Sequence, residues 1–562
     1  MRTLQMSSNV PKSSNLWLKE GRKMSSLTNG KWSRREILKQ SGILSALGAT
    51  SAIAPAVANA APTTEKIAPT DTLVHHHNMS DNLFTRIGVR PMINGRGTYT
   101  IISGSCSLPE VKQAMYDASF YFVDLDEMMD GIGAQLAELT GAEWGITTTG
   151  CAAAICLATV ACIAGTDIEE CQALPYIKKK NQVIIPKHSR NPYDIGVRMS
   201  GVEVIEVDSP EEFRAKLSDR TAMVYILSGP DSTSGPMSIK VLCGIANEKN
   251  VPVFVDAAAE EPIKPNIHIA AGASLVGYSG GKCMRGPQSS GMMIGKKDLC
   301  KAAYYQAAPH HCYGRALKCS KEEAMGLLAA VRQWYKRDHA AEQAQWLSWM
   351  QHIADRVKGI PNVTAQVIPP QEDLSNRCAT LKITWDANKV GITGTEVAGR
   401  LDEGKPRITL IGAQGQRPDM MESSIGVTSY MMQEGEDKII ADALYEILTH
   451  PGSHPNPTVP TGAPASVQGT WAVTIHYLRG TGEQKFVLQQ NGSDVTGEHH
   501  GEIYNATFKG AVHGDQIELH SVMPVGGNPL HCNFKGTVNG GTMSGTINMG
   551  EYGDAQWSAV RA

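Results

Sequence analysis

The sequence predicts an α/β protein: a mostly parallel sheet with helices on both faces, then a smaller α+β domain and a separate all-β module. Three observations carry that prediction. Between residues 86 and 320, apolar runs of strand length alternate with helical segments, as expected for strands buried on both faces. Residues 321–450 open on a long helical stretch and then mix strands with helices. After a Pro/Gly-rich linker at 451–468, residues 469–562 become short alternating segments between glycine turns, which suits a small barrel or sandwich.

A chain of 562 residues exceeds one ordinary core, so several domains are expected. Apolar residues make up 42% and charged residues 19%, a globular balance. No run of about 20 apolar residues occurs beyond the N-terminal region, which excludes a multi-pass membrane protein.

Residues 1–60 are expected to be a targeting segment rather than fold. "SRREILKQSGILSALGATSAIAPAVANA" combines Arg34-Arg35, a mildly apolar stretch from Ile43 to Val57, and Ala58-Asn59-Ala60. That order resembles a twin-arginine export signal with its cleavage site. It implies the twin-arginine machinery as a partner, a periplasmic or secreted mature chain, and no stable membrane span after cleavage. The long stretch ahead of the arginines leaves Met24 as an alternative start. Nine Lys or Arg against two Asp or Glu give residues 1–60 a net +7, leaving the rest near −10. A nucleic-acid partner, which needs a basic footprint, is not expected.

Residues 61–85 read as a flexible lead-in, and His75-His76-His77 as part of it rather than a metal site. In the α/β region, "WGITTT", "NQVIIP", "VEVIEV", "TAMVYIL", "VPVFVDAAA" and "LVGYSG" are the expected strands. "IGAQLAELTG", "CAAAICLATVACIAG", "EEFRAKLSD" and "IKVLCGIANEKN" are the expected helices. "SKEEAMGLL…RVKGI" reads as one long helix with a capping-box start. Twelve cysteines without a C-x-x-C pair read as buried thiols, with single disulfides left open.

Four pieces fit one chemistry. The strand-to-helix turn Thr148, Thr149, Gly150, Cys151, Ala152 presents backbone N–H groups that suit a phosphate, although alone it is an ordinary α/β turn. Asp256 ends an apolar strand, where ligands of α/β sheets sit, or else caps a helix. Ser279 and Lys282 lie in the glycine-rich "GYSGGKCMRGPQSSG". His188 follows the strand "VIIP" and reads either as a ring-stacking imidazole or as a lone surface histidine. Pyridoxal 5′-phosphate needs this set: a lysine for its aldehyde, a carboxylate for its ring nitrogen and donors for its phosphate.

"SGGKCMRGPQSSGMMIG", "NGRGTYTIISGS", "TGAEWGITTTGCAAAI", "VDAAAEEP" and "GRALKCSKEEAMGLLAAV" resemble the selenocysteine-synthase-like family of fold-type I pyridoxal phosphate enzymes. The branch they look most like is that of D-glucosaminate-6-phosphate ammonia-lyases, over roughly residues 85–450. The resemblance implies Lys282 as the Schiff-base lysine and Asp256 as the partner of the ring nitrogen. Ser279 and the turn at 149–152 would hold the phosphate, and His188 would match the stacking histidine of the class V aminotransferases. Arg407, Arg315, Arg96 and Arg285 are the candidate anchors for substrate anions, the first two on family position. Each also reads as a structural arginine. Two departures stand out: Gly281 occupies a position where selenocysteine synthases have Asp, and Cys151 one where relatives often have Ala.

The expected activity is a lyase reaction on a small, sugar-derived or other amino acid, by Schiff-base formation, α-proton abstraction and α,β-elimination with ammonia release. Racemisation, transamination or selenocysteine-synthase-type transfer compete with it, as does a non-catalytic periplasmic binding role. A homodimer or larger assembly is what the resemblance implies.

Overall fold

The computed structural model describes residues 79–418, 422–458 and 460–562. The candidate export signal, the start of the lead-in and the histidine triplet lie outside the described residues. Among the described residues, no helix is long and apolar enough to cross a membrane.

Strand β1 (Met92–Gly95) opens the fold. It is followed by β2 (Trp144–Thr148), β3 (Gln182–Pro186), β4 (Glu203–Val207), β5 (Thr221–Leu227), β6 (Val253–Asp256), β7 (Leu275–Ser279) and β8 (Gly291–Gly295). These seven form one sheet in the order β2-β8-β7-β6-β5-β3-β4. β3 to β7 pair in parallel, whereas β8 runs antiparallel to both β7 and β2. The strands are rich in Val and Ile, buried almost throughout, because helices cover both faces.

Helix Gly150–Ala164 lies against this sheet with every residue buried except Gly150 and Ala152. It has no polar face, so it belongs in the core, and only its first turn is left open. Helix Leu125–Thr140 is set by local chemistry: Asp124 accepts hydrogen bonds from the backbone N–H of Asp126 and Glu127, and Gly141 ends it at φ +78°.

The second sheet contains β9 (Val363–Ile368), β10 (Thr380–Trp385), β11 (Arg407–Gln414) and β12 (Ser423–Thr428), in the order β1-β11-β12-β10-β9. β1 therefore leaves the large domain's stretch of sequence and pairs in parallel with β11, Gly95 opposite Leu410. This sheet is otherwise antiparallel.

The long helix expected after Ser320 is two helices, Lys321–Trp334 and His339–Val357. Ser320 and Glu323 form the expected capping box. The break comes where Asp338 accepts from the Ala341 N–H at 3.0 Å and starts a new N-terminus.

The C-terminal module is a closed antiparallel barrel: β13 (Gly469–His476), β14 (Thr481–Asn491), β15 (Asp494–His500), β16 (Asn505–His513), β17 (Gln516–Met523), β18 (Leu530–Asn539), β19 (Thr542–Asn548) and β20 (Asp554–Arg561). Trp471, Phe486, Phe508, Phe534 and Trp557 fill its interior. His499 is fully buried among them, 4.6 Å from the Phe508 ring and nearly parallel to it. It hydrogen-bonds Ser521 Oγ at 2.8 Å and Gln484 Oε1 at 2.7 Å. All twelve cysteines are free thiols.

Candidate active site

β2, β3, β5, β6 and β7 all end at one edge of the large sheet, and the antiparallel β8 begins there. Thr148, Asp256 and Ser279 are the last residues of β2, β6 and β7, and His188 follows β3 by two residues. One sheet edge thus assembles residues spread over more than a hundred positions, at the ends where α/β sheets bind ligands.

The turn after β2 is held from within. Thr148 Oγ1 donates to the Gly150 carbonyl at 2.8 Å, and Thr149 Oγ1 donates to the Leu317 carbonyl at 3.1 Å. Gly150 takes φ +78°, a conformation that favours glycine. The N–H groups of Gly150, Cys151 and Ala152 have no intrahelical acceptor and sit at the positive end of a fifteen-residue helix. Ser279 is half-buried beside them, opposite Gly291.

Asp256 is buried and both its oxygens are engaged. Oδ1 accepts from the Ala258 N–H at 3.1 Å and from the Cys151 thiol at 3.4 Å. Oδ2 accepts from the Tyr225 hydroxyl at 2.8 Å, leaving a lone pair for one further donor. Burial, then the Asp256 charge, pushes the Cys151 thiol pKa well up, while the Lys282 charge pulls it back. Cys151 is therefore a neutral donor to the carboxylate and lies within electrostatic reach of both charges. Gly277 makes room for it: a Cβ there would stand 2.9 Å from Cys151 Sγ.

His188 is half-buried, and its Nε2 has no hydrogen-bond partner among the described residues. Burial lowers its pKa against the opposing pull of Asp231 and Asp208, which keeps the ring neutral. A flat neutral imidazole suits stacking on an aromatic ligand.

The glycines around Lys282 close a tight loop. Gly280 N–H donates to the Ser290 carbonyl at 2.8 Å, and Gly286 N–H returns to the Gly280 carbonyl at 2.7 Å. A Cβ on Gly281 would meet Gln288 Cα at 2.6 Å, so an aspartate there would not fit this loop. Lys282 lines a cavity of about 260 Å³ that the second sheet completes with Ile411, Thr380 and Thr428. Arg96, at the end of β1, lines the same cavity, its guanidinium 4.7 Å from the centre of the Tyr99 ring. Tyr193 lies there too, as do Asn376 and Tyr430. The Tyr430 hydroxyl donates to Asn376 Oδ1 at 3.0 Å and pairs with Thr98 Oγ1 at 2.7 Å.

The other three arginines are placed differently. Arg315 is half-buried two residues before Leu317, whose carbonyl anchors Thr149 in the turn after β2. Arg285 donates from Nε to the Cys106 carbonyl at 3.0 Å and borders a separate cavity with Glu342 and Trp346. Arg407 is not brought to the Lys282 cavity. It begins β11, four residues or about 13 Å before Ile411, and is held by Asp402 at 2.7 Å. Strand direction puts it at the far end.

These residues fit pyridoxal phosphate: an unpartnered His188 nitrogen, a buried carboxylate with a spare lone pair, an open first helical turn and a lysine facing a cavity. Tyr225, Asn191, Tyr193, Asn376 and Tyr430 complete the site and were not singled out in the sequence. Only Asn191 and Tyr193, in the same "KHSRNPYD" as His188, had a neighbouring signal.

Fold and site define a pyridoxal-phosphate-dependent lyase or transferase of fold type I. No family model matches the chain. D-glucosaminate-6-phosphate ammonia lyase of Salmonella typhimurium is 26% identical over 383 residues, 66% of this chain and 99% of that enzyme. The 5′-C-glycyluridine monooxygenase-decarboxylase of a Streptomyces species is 32% identical over 344 residues, 58% of this chain and 83% of that enzyme. A solved D-glucosaminate-6-phosphate ammonia-lyase structure superposes with a TM-score of 0.57 at 25% identity, covering 66% of this chain and 99% of that one. The chain belongs to the selenocysteine-synthase-like family of fold-type I pyridoxal phosphate enzymes.

Proposed function

We propose that this chain binds pyridoxal 5′-phosphate through Lys282 and removes ammonia from a small, sugar-derived amino acid by α,β-elimination. The observation that carries the reading is that Lys282 lines a cavity and its charge reaches Cys151, the thiol hydrogen-bonded to the buried Asp256. When bound, the cofactor supplies an aldehyde for amines and a ring that accepts the electron pair released at an amino acid's α-carbon. The Asp256 carboxylate favours a protonated ring nitrogen, because an adjacent negative charge favours the cationic form. The first turn of helix Gly150–Ala164 and Ser279 would hold the phosphate, and His188 would offer a flat face to the ring. Lys282 Nζ, on the cavity wall, takes the proton from the substrate's α-carbon. Arg96 binds the substrate's anionic group with its planar guanidinium. Ile411 and Thr428 line that side of the cavity.

A second reading, decarboxylation coupled to oxygenation, is favoured by the 32% identity to the Streptomyces enzyme of that name. Product analysis separates them. Elimination releases ammonia and a keto acid without oxygen uptake, whereas the second reaction releases carbon dioxide and consumes oxygen. Solvent deuterium at the α-carbon without ammonia release would instead mean racemisation.

We also propose that a second copy covers Tyr116, Phe120, Tyr121 and Phe122, a contiguous exposed apolar run. Sedimentation of F122D tests this, because a monomeric variant is then expected. Export by the twin-arginine route is proposed from Arg34-Arg35 and Ala58-Asn59-Ala60, and N-terminal sequencing of periplasmic protein tests it.

A further inference from the structure

The barrel lies directly against the active-site edge. The turn between β17 and β18 carries Gly526 and Gly527. A Cβ on Gly527 would stand 2.5 Å from the Asn191 carbonyl oxygen and 2.7 Å from its nitrogen. Gly527 takes φ +73°, so glycine is required there both for the conformation and for the contact. Gly526 packs the same way on Arg190, with a Cβ position 2.5 Å from Nη2. Arg190 is itself tied to the buried Asp194 at 2.6 Å and to Glu206.

Asn191 leads inward. Its Nδ2 donates to the Tyr225 hydroxyl at 2.9 Å and to the Ser189 carbonyl at 2.8 Å, while its Oδ1 accepts from the Tyr193 N–H at 2.8 Å. The amide is thereby locked in one orientation. Because Nδ2 donates to the Tyr225 oxygen, the single Tyr225 hydroxyl proton points to Asp256 Oδ2, 2.8 Å away. Tyr225 cannot swing aside, since it is fully buried and stacked parallel to Phe254.

We propose that the barrel is a working part of the active site: Gly527 seats Asn191, and Asn191 sets the Tyr225 hydroxyl that orients Asp256. Asn191 and Tyr225 are positioning residues. This rests on the cofactor reading only through Asp256; the seating of Asn191 by the barrel does not.

The test compares G527A with G540A, a barrel glycine of similar φ, +57°, whose Cβ would meet open space. In the cofactor-free full-length protein, G527A should raise amide hydrogen exchange across residues 189–193, and G540A should not. In the cofactor-loaded protein, G527A should shift the cofactor's absorbance maximum and lower kcat about 10- to 100-fold with little change in KM, the cost of sub-ångström misplacement. Y225F should produce the same spectral shift, and G527A/Y225F should shift no further than Y225F alone. If G527A does not fold, G526A, which displaces only the flexible end of Arg190, should give smaller changes in the same direction. Unchanged exchange at 189–193 in G527A or G526A overturns the proposal, and so does an additive double variant. Wild-type protein that takes up no cofactor overturns the function proposed above, while the exchange comparison still decides whether the barrel seats Asn191.

Discussion

A Cβ on Gly291 would lie 2.4 Å from the carbonyl carbon of Gly150 and 2.7 Å from the nitrogen of Cys151. β8 therefore packs its first residue on the open turn of helix Gly150–Ala164 with no room to spare. G291A should push that turn out of register and weaken pyridoxal phosphate binding about 10-fold or more, with a stability loss of about 1–3 kcal/mol. Cofactor titration followed by absorbance, alongside thermal melts, checks both.

Arg96 and Arg407 should part company. R96A removes the guanidinium on the cavity wall and should raise KM for an anionic amino acid about 10- to 100-fold, the scale of a charge-assisted contact. R407A breaks a part-exposed pair with Asp402 that contributes roughly 1 kcal/mol or less. Its KM should stay within about twofold of wild type. Steady-state kinetics on both variants decides.

The barrel should lose stability in acid because of His499. Desolvation, with a smaller push from His500, lowers its pKa to about 4, below the ordinary value of about 6.5. The folded imidazole stays neutral while the unfolded one binds a proton between those values. Stability is therefore complete above about pH 6.5 and falls as pH drops toward 4, by about 3 kcal/mol. Thermal melts followed by the emission of buried Trp471 and Trp557 should show this slope, and H499Q should flatten it.

The thiols should divide by exposure. Cys106 alone among the twelve is exposed, and burial pushes the Cys151, Cys162, Cys243 and Cys300 thiols up. Alkylation of the native protein at pH 8 should label Cys106 within minutes and leave those four unmodified until denaturant is added. Peptide mass mapping reads the result.

Much of the architecture was legible because apolar strands and capped helices alternate in long, regular segments. Asp256 and Lys282 stood out for a related reason, Asp256 ending the apolar strand β6 and Lys282 following β7 within its glycine-rich loop. Tyr225 was hidden inside "TAMVYIL", where an aromatic looks like any other buried residue; only the register that puts Leu227 opposite Asp256 shows its role. Arg407 lies away from the Lys282 cavity because strand direction, which its sequence neighbourhood does not encode, sets the end of β11 that it occupies. The helix break after Trp334 has neither Gly nor Pro to mark it and depends on the Asp338 cap. Barrel closure rests on β13 pairing with β20, from Trp471 opposite Arg561 to His476 opposite Gln556, a distant contact that local pattern does not encode.

The most direct measurement is borohydride treatment of the cofactor-reconstituted protein, followed by peptide mass spectrometry. A violet-blue absorbance band that bleaches on reduction, with the added pyridoxyl group on the peptide containing Lys282 and none in K282A, is the predicted result. A colourless protein, or a label on any other lysine, would contradict the assignment of Lys282.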